Sequence, residues 1–397
     1  MILQLVRRFM TEPDSRLLWK FAWNFGWKGM RAVGAFEKRR AKGVYFPAFL
    51  FLSVTNACNL RCQGCWVTPT QPPCELDLAT LENIIRSCKA RSSYFFGILG
   101  GEPLLHKGLF DLMGRHPDCY FLLFTNGTLI SDEVAVRLRR LGNVSPLISI
   151  EGLDAVSDER RGGTAVYQRT MDGVAHCRDQ RLVTGVATSV CQTNFHELVS
   201  ERFLRDLIGR GVLYVWYYIY RPVGAQPCPE LKLTPDQIVE LRRFMVEMRT
   251  RLPIIIVDAY WDDEGHALCP AATGIGHHIS PAGYVEPCPP LQLAGEHAGD
   301  GTDLYERLTN SAFLREFRHT ATETTRGCVI MERPDLLLQL AGTTGARDSS
   351  GRGTVKAELG ALVPCSSHHL PGREIREQSW LYRFAKKHWF FGFGAYG

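Results

Sequence analysis

Long apolar runs are missing from this 397-residue chain. None reaches the roughly 18–20 residues that a membrane-spanning helix needs. The longest stretch, residues 44–54, is broken by Pro47 and Ser53 and reads as a buried strand. The start, Met1 to Arg8, lacks the charge-then-apolar order of a secretory signal, so none is expected. A large excess of one charge is also absent. The 46 Lys/Arg against 41 Asp/Glu leave +5, which gives no reason to expect a nucleic-acid partner. No internal repeat is evident. Cysteine, by contrast, is plentiful: thirteen residues in a chain too long for a disulfide-stapled mini-domain. A composition 45% hydrophobic and 22% charged is globular, with room for two or three domains. A reducing cytoplasm is the expected compartment, with thiols serving as metal ligands.

Between about Tyr45 and Tyr260, strand-like and helix-like segments alternate. Apolar strands are predicted at residues 49–55, 94–99, 120–124, 147–150, 185–190 and 213–219, with amphipathic helical stretches between most of them. Six such strands with helical crossovers imply an α/β fold built on a parallel sheet. A polar motif follows each strand: the loop from Cys58, Gly100-Gly101-Glu102-Pro103, Thr125-Asn126-Gly127, Glu151-Gly152, Thr193-Asn194 and Arg221-Pro222. In parallel α/β barrels that rim is where chemistry is assembled.

The densest motif is Cys58-Asn59-Leu60-Arg61-Cys62-Gln63-Gly64-Cys65-Trp66. Four thiolates would close a tetrahedral zinc site, whereas three on one loop suit an iron–sulfur cluster that keeps one iron open. Gly100 and Gly101 let a backbone approach closely, and Pro103 fixes the turn. With C-x3-C-x2-C and a downstream G-G-E-P, the chain resembles the radical S-adenosylmethionine (SAM) superfamily. The resemblance implies a partial (β/α)6 barrel with SAM across its mouth. It implies a [4Fe–4S] cluster on Cys58, Cys62 and Cys65 that binds and cleaves SAM, and a 5′-deoxyadenosyl radical that abstracts hydrogen from a substrate. Gly100, Gly101, Glu102 and Pro103 are expected at the SAM site, Glu102 toward its ammonium. Ser149 and Glu151 are expected to contact SAM, and Asn194 either to do so or to cap a helix near His196. Where many members carry an aromatic residue before the third cysteine, this chain has Gly64, which leaves the adenine cover open. Cys191 and Tyr218 are candidate hydrogen-atom donors. Tyr217, Tyr220 and Arg221 crowd the same strand end. Cys74, Cys88, Cys119, Cys177 and Cys228 are expected to be unpaired structural thiols.

Beyond Asp262 the alternation fades. Cys269 and Cys288 bracket a strand, Pro-x-Gly turn, strand pattern at residues 277–287, and Cys328 and Cys365 follow. This arrangement resembles the C-terminal extension called SPASM, or its shorter Twitch form, which holds auxiliary clusters. The dense C-x2-C-x5-C-x3-C block of a full SPASM is absent. One auxiliary [4Fe–4S] cluster is therefore expected, on Cys269, Cys288, Cys328 and Cys365. Residues 341–354, rich in Gly, Thr, Ser and Arg, read as a flexible loop.

Residues 1–43 hold ten Lys/Arg against three Asp/Glu. Lys20, Asn24, Lys28, Arg31 and Lys38 recur at helical spacing, and Leu17, Leu18, Trp19, Phe21, Trp23, Phe25, Trp27, Met30 and Val33 fill the rest. Residues 380–391 repeat the aromatic-basic mixture. Either both ends lie in a membrane interface, peripheral at its inner face, or both pack on the barrel.

The expected organisation is an N-terminal segment at 1–44, a core barrel at 45–262, an auxiliary-cluster region at 263–370 and a tail at 371–397. The expected function is hydrogen abstraction from a small molecule, lipid or peptide, assisted by the auxiliary cluster and fed by a low-potential flavodoxin or ferredoxin. A peptide or protein maturase is an alternative, although no β-rich leader-binding module precedes Tyr45. Membrane contact would favour a lipid-linked substrate. A non-enzymatic redox relay or sensor at a membrane surface would leave the three-cysteine loop and G-G-E-P without a purpose.

Overall fold

A computed structural model describes residues 1–299, 301 and 303–389. Strands β1 (Phe49–Ser53), β2 (Phe95–Leu99), β3 (Tyr120–Thr125), β4 (Val144–Ser149), β5 (Gly185–Val190) and β6 (Tyr214–Ile219) pair in sequence order, all parallel. They are rich in aromatic and aliphatic residues and buried on both faces, as the central strands of a covered parallel sheet must be. The expected α/β barrel is therefore present, with two additions. A short parallel strand, β7 (Ile255–Val257), extends the β6 edge. On the other edge, β8 (Gly276–Ile279) pairs parallel to β1, and β9 (Tyr284–Glu286) returns antiparallel to β8. The predicted strand–turn–strand of the extension is thus part of the same sheet as the barrel.

Crossover helices start where short polar side chains offer an acceptor. Asp77 accepts from Thr80 N ahead of Leu78–Lys89, and Ser131 from Val134 N ahead of Asp132–Leu141. Thr234 and Gln237 form a reciprocal capping box on Pro235–Arg251. Register aligns the strand ends: Ser53 lies beside Leu99, Thr125 beside Ile148, and Ser149 beside Ala187. The polar motifs that follow these strands consequently meet on one rim.

The N-terminal segment closes the opposite rim. It comprises α1 (Ile2–Thr11), α2 (Ser15–Lys20), a π-helical stretch Phe21–Trp27 and α3 (Lys28–Arg40). Its polar side chains read carbonyls at the entrances to successive strands. Arg8 donates to Val212 O and Pro253 O, Lys20 to Leu141 O, Asn24 to Pro117 O, Lys28 to Asp118 O, and Arg39 to Arg91 O. Lys20, Asn24 and Lys28 are therefore turned inward rather than forming a solvent-facing stripe with Arg31 and Lys38, because unsatisfied loop carbonyls attract them. Leu17, Phe21, Phe25 and Val33 enter the core, while Trp19, Trp23 and Trp27 stack outward as a ladder with centroids 6.0 and 6.4 Å apart.

The tail also packs on the barrel. In the helix Trp380–His388, the Tyr382 hydroxyl accepts from Ile256 N. Lys386 joins Arg242, Arg249, Asp258 and Glu377 in a buried ionic cluster, with Arg249 2.5 Å from both carboxylates. Trp389 lies against Phe25, and Phe390 and Phe391 fall outside the described residues. Residues 341–354 are more ordered than their composition predicts. A helix runs to Thr344, Arg347–Asp348 pairs with Leu293–Ala294, and Arg352 grips Glu358 with both arms of its guanidinium.

Candidate active site

The cysteine loop leaves β1 and is held from below by the glycine pair. Gly101 N donates to Thr55 O at 2.8 Å and Glu102 N to Ala57 O at 2.7 Å. A Cβ on Gly101 would lie 2.2 Å from Ala57 O, and one on Gly100, whose φ is +157°, would lie 2.4 Å from Thr55 O. Only glycine permits this approach. Asn59 is tied across the mouth to Asn126 and Thr128, and Gln63 to Arg160. Burial pushes the Cys58 thiol up and the Cys65 thiol to about 12, so a bound metal is what would hold them deprotonated.

Cys58, Cys62, Cys65, Gly100, Gly101, Asn126, Ser149 and Arg161 line a recess of about 450 Å³. A second cavity of about 400 Å³, walled largely by aromatic residues, shares Cys62, Cys65, Trp66, Phe124, Ser149 and Arg161 with it. The two are lobes of one mouth.

Glu102 faces away from both lobes. Buried at the strand ends, it accepts from Thr125 Oγ1 and Asn126 N at 2.8 Å and from Leu104 N at 3.2 Å. Its carboxyl pKa is raised by burial. Through these bonds it ties the end of β2 to β3. Pro103 opens the 3₁₀ turn Pro103–Leu105 and is likewise buried. Ser149 stands on the wall common to both lobes, and Glu151 lines the aromatic lobe, 3.9 Å from both Arg160 and Arg161. Asn194 is inaccessible: its amide donates to Glu151 O and Ser189 O and accepts from Cys191 N, and it gives the following helix no side-chain cap.

Tyr218 lines the aromatic lobe beside Trp216. Cys191 does not. It is buried in a separate small cluster with Tyr220 and Leu231, against Cys228, so it is not placed to quench a radical in this cavity. Tyr217 points outward, its hydroxyl donating to Leu198 O. A Cβ on Gly64 would lie 2.0 Å from the Tyr220 hydroxyl, so this ring fills the space beside Gly64. Trp66 instead packs edge-on against His278 at 5.8 Å.

At the far wall of the aromatic lobe stand Cys269, Cys288 and Cys328. Burial raises the Cys288 thiol well above its ordinary range and the Cys269 thiol to about 11. Cys365 is tied through its backbone to Met331 O, close to Cys328 in the chain, but its thiol is not on the cavity wall. The structure thus gathers three of the four extension cysteines. All thirteen cysteines are free thiols.

A tetrahedral zinc site would set sulfurs about 3.8 Å apart, from Zn–S bonds of about 2.3 Å. Among the described residues, the one three-donor set within 4.8 Å is His116, Asp118 and Cys119, a tight turn whose Asp118 is already paired with Lys89. Neither three-thiol set converges on a point.

Arg161, and the thiol contact made by Arg221, escaped sequence reasoning. Arg161, buried with its Nη1 beside Cys62, has an Nη2 that makes no hydrogen bond and lies 3.9 Å from Glu151, and Arg221 donates from Nε to Cys328 Sγ at 3.2 Å. These pairs lie 99 and 107 residues apart, beyond any spacing rule.

The fold and site define an open parallel α/β barrel with a three-thiol loop at its mouth. Residues 52–199 match the Radical SAM superfamily. The sporulation killing factor maturation protein SkfB of Bacillus subtilis is 30% identical over 157 residues, covering 39% of this chain and 38% of SkfB. An AdoMet-dependent heme synthase of Oleidesulfovibrio alaskensis is 26% identical over 324 residues, 73% of this chain and 82% of that one. Streptococcus suis SuiB bound to its precursor peptide SuiA shares the fold at TM-score 0.59 and 15% identity, over 71% of this chain and 69% of that one. With SkfB and three other curated relatives, the matched region spans 38% to 55% of the relative's length.

Proposed function

We propose that the chain oxidises or couples an apolar group of a small molecule or peptide bound in the aromatic lobe, between the three-cysteine loop and Cys269, Cys288 and Cys328. The observation that carries this reading is the wall shared by the two lobes, Phe124, Ser149 and Arg161. In this reading Cys58, Cys62 and Cys65 hold a [4Fe–4S] cluster with SAM in the glycine-floored recess. When bound, that cluster supplies the electron that cleaves SAM to methionine and a 5′-deoxyadenosyl radical, the hydrogen-abstracting species. Arg161, whose Nη1 reaches Cys62 and whose Nη2 makes no hydrogen bond, binds the SAM carboxylate, and Ser149 orients the part of SAM nearest the substrate. Trp66, Phe124, Trp216 and Tyr218 exclude water and orient the substrate. Cys269, Cys288 and Cys328 hold an auxiliary cluster at the far wall, and a flavodoxin or ferredoxin feeds the first. A lobe of this size is in the range of small-ligand pockets and takes one side chain or ring system, not a folded protein. Anaerobic reduction of the reconstituted protein with SAM tests the core of this reading. Release of 5′-deoxyadenosine by wild type and its loss in Arg161→Ala are expected; undiminished release from Arg161→Ala would contradict the arginine's role.

A peptide substrate is the second reading, supported by the maturation role in the name of SkfB and by the peptide-bound SuiB structure. Membrane contact is a further part of the proposal. No helix among the described residues is long and apolar enough to cross a bilayer, but Trp19, Trp23 and Trp27 present 47–66% of their surface. Strands of five or six residues rise about 17–20 Å, and the ladder lies on the rim opposite the mouth. A membrane-bound molecule would therefore hold its mouth away from the bilayer, which favours a substrate arriving from the water side over a lipid-linked one. Liposome co-sedimentation of wild type, reduced in Trp19→Ser/Trp23→Ser/Trp27→Ser, is expected; equal sedimentation would remove the contact.

A further inference from the structure

Arg221 follows β6 directly, and its backbone is fixed. Tyr220 N bonds Val190 O, Val223 N bonds Arg221 O at 3.0 Å, and Pro222 between them restricts the turn. From this position the side chain runs deep into the molecule and lines the aromatic lobe. Its guanidinium lies 5.1 Å over the Tyr260 ring, and its Nε–H points at Cys328 Sγ, 3.2 Å away. The Cys328 backbone is in turn held by Ser367 Oγ at 2.9 Å. Both ends of the contact are therefore set by rigid elements.

The charge balance is unusual. A guanidinium stays protonated in proteins, and a buried one is normally matched by a carboxylate. Arg161, at the first thiol set, has Glu151 at 3.9 Å, and Arg249 has two carboxylates at 2.5 Å. Among the described residues, no carboxylate lies within 4 Å of Arg221. What it faces is Cys328, with Cys269 and Cys288 on the same wall. Its counter-charge would come from these thiols once a bound metal holds them deprotonated.

We propose that Arg221 is a positioning residue for the second thiol set: its Nε–H fixes the Cys328 sulfur, and its unmatched positive charge raises the reduction potential of the iron–sulfur group bound by Cys269, Cys288 and Cys328. The inference rests on the reading that these three thiols hold a cluster. The sign follows from electrostatics. Reduction adds one negative charge to the group, and a fixed cation on its wall stabilises the more negative form.

The test uses full-length protein carrying Cys58→Ala, Cys62→Ala and Cys65→Ala, so that only the second set can bind iron. Iron and labile sulfide are measured after anaerobic reconstitution, followed by an EPR-monitored redox titration, in this parent and with Arg221→Gln or Arg221→Lys added. The parent and Arg221→Lys are expected to hold about four irons, and Arg221→Gln as many or fewer. The Arg221→Gln variant is expected to be at least tenfold harder to reduce, a fall of about 59 mV for one electron. Arg221→Lys, which keeps the charge but not the fork, is expected to fall less. Loss of iron from Arg221→Gln alone supports the fixing of Cys328. An unchanged midpoint at full iron in Arg221→Gln overturns the proposal. So does equal loss of iron from both variants when urea unfolding shows both folded, because charge would then be irrelevant. No iron in the parent overturns the cluster reading itself, whatever Arg221 does.

Discussion

Replacing Gly101 with alanine tests how the cysteine loop is supported. The added methyl would lie 2.2 Å from Ala57 O, 2.7 Å from its carbonyl carbon and 2.8 Å from Asn56 O. All three are backbone atoms, so no side chain can swing aside. Restoring even a 3.0 Å contact requires a shift of about 0.8 Å in the segment that leads from β1 to Cys58. The same shift strains the bonds from Gly101 N to Thr55 O and from Glu102 N to Ala57 O. Overpacking of this kind costs about 1–3 kcal/mol. Because Ala57 adjoins Cys58, the loss is expected in iron at the first site before it appears in global stability. The assay combines iron and sulfide content with a urea unfolding curve, on wild type, Gly101→Ala and, as a control, Gly34→Ala, where a Cβ meets nothing within 4 Å. Gly101→Ala is expected to lose at least half of the first-site iron and about 1–3 kcal/mol of stability, with the control unchanged. Full iron and an unshifted midpoint in Gly101→Ala would refute the close-approach argument.

Asp258→Ala leaves Arg242, Arg249 and Lys386 buried around Glu377 alone. It is expected to cost about 3–5 kcal/mol by urea unfolding and to free the tail for limited proteolysis; a loss below about 1 kcal/mol would show that the cluster relaxes. His277 is buried against β8's neighbours and held near a pKa of about 3. Below pH 6.5 the unfolded chain therefore takes up a proton that the native state refuses, so stability falls as pH drops through the window from 6.5 toward 3. His277→Leu is expected to flatten this slope by up to about 1.4 kcal/mol per pH unit, read from unfolding at pH 7 and pH 5; identical slopes would contradict it. Cys365→Ser is expected to keep the second iron group that Cys288→Ser loses, as measured by iron content in the absence of the first site, and equal losses would restore Cys365 as a ligand.

Much of this architecture is legible in the sequence, because a covered parallel strand is apolar along its whole length and β1 to β6 carry that mark. The strand ends carry the polar motifs, so the mouth is legible too. β7 is not: three residues after Pro253 give no period to read. The pairing of β8 with β1 joins residues some 227 apart, such as Phe49 with Gly276, and no local pattern encodes it. At the N terminus, periodicity marks a helix with two faces but does not say which of them meets the barrel. Lys20, Asn24 and Lys28 find loop carbonyls that exist only in the folded barrel, and Trp19, Trp23 and Trp27 are left outside. Glu102 shows the same limit at the site. A motif identifies the residue, but only the meeting of β2 with β3 shows that its carboxylate is already engaged.

The central claim is that Cys58, Cys62 and Cys65 hold the group that cleaves SAM at the mouth of the barrel. Its most direct test is 5′-deoxyadenosine formation from SAM by reconstituted, anaerobically reduced protein, comparing wild type with the variant in which all three residues are alanine. The account predicts formation by wild type and none by the variant, even where the variant still holds iron at Cys269, Cys288 and Cys328. Equal formation by both, or none by a fully iron-loaded wild type, would contradict it.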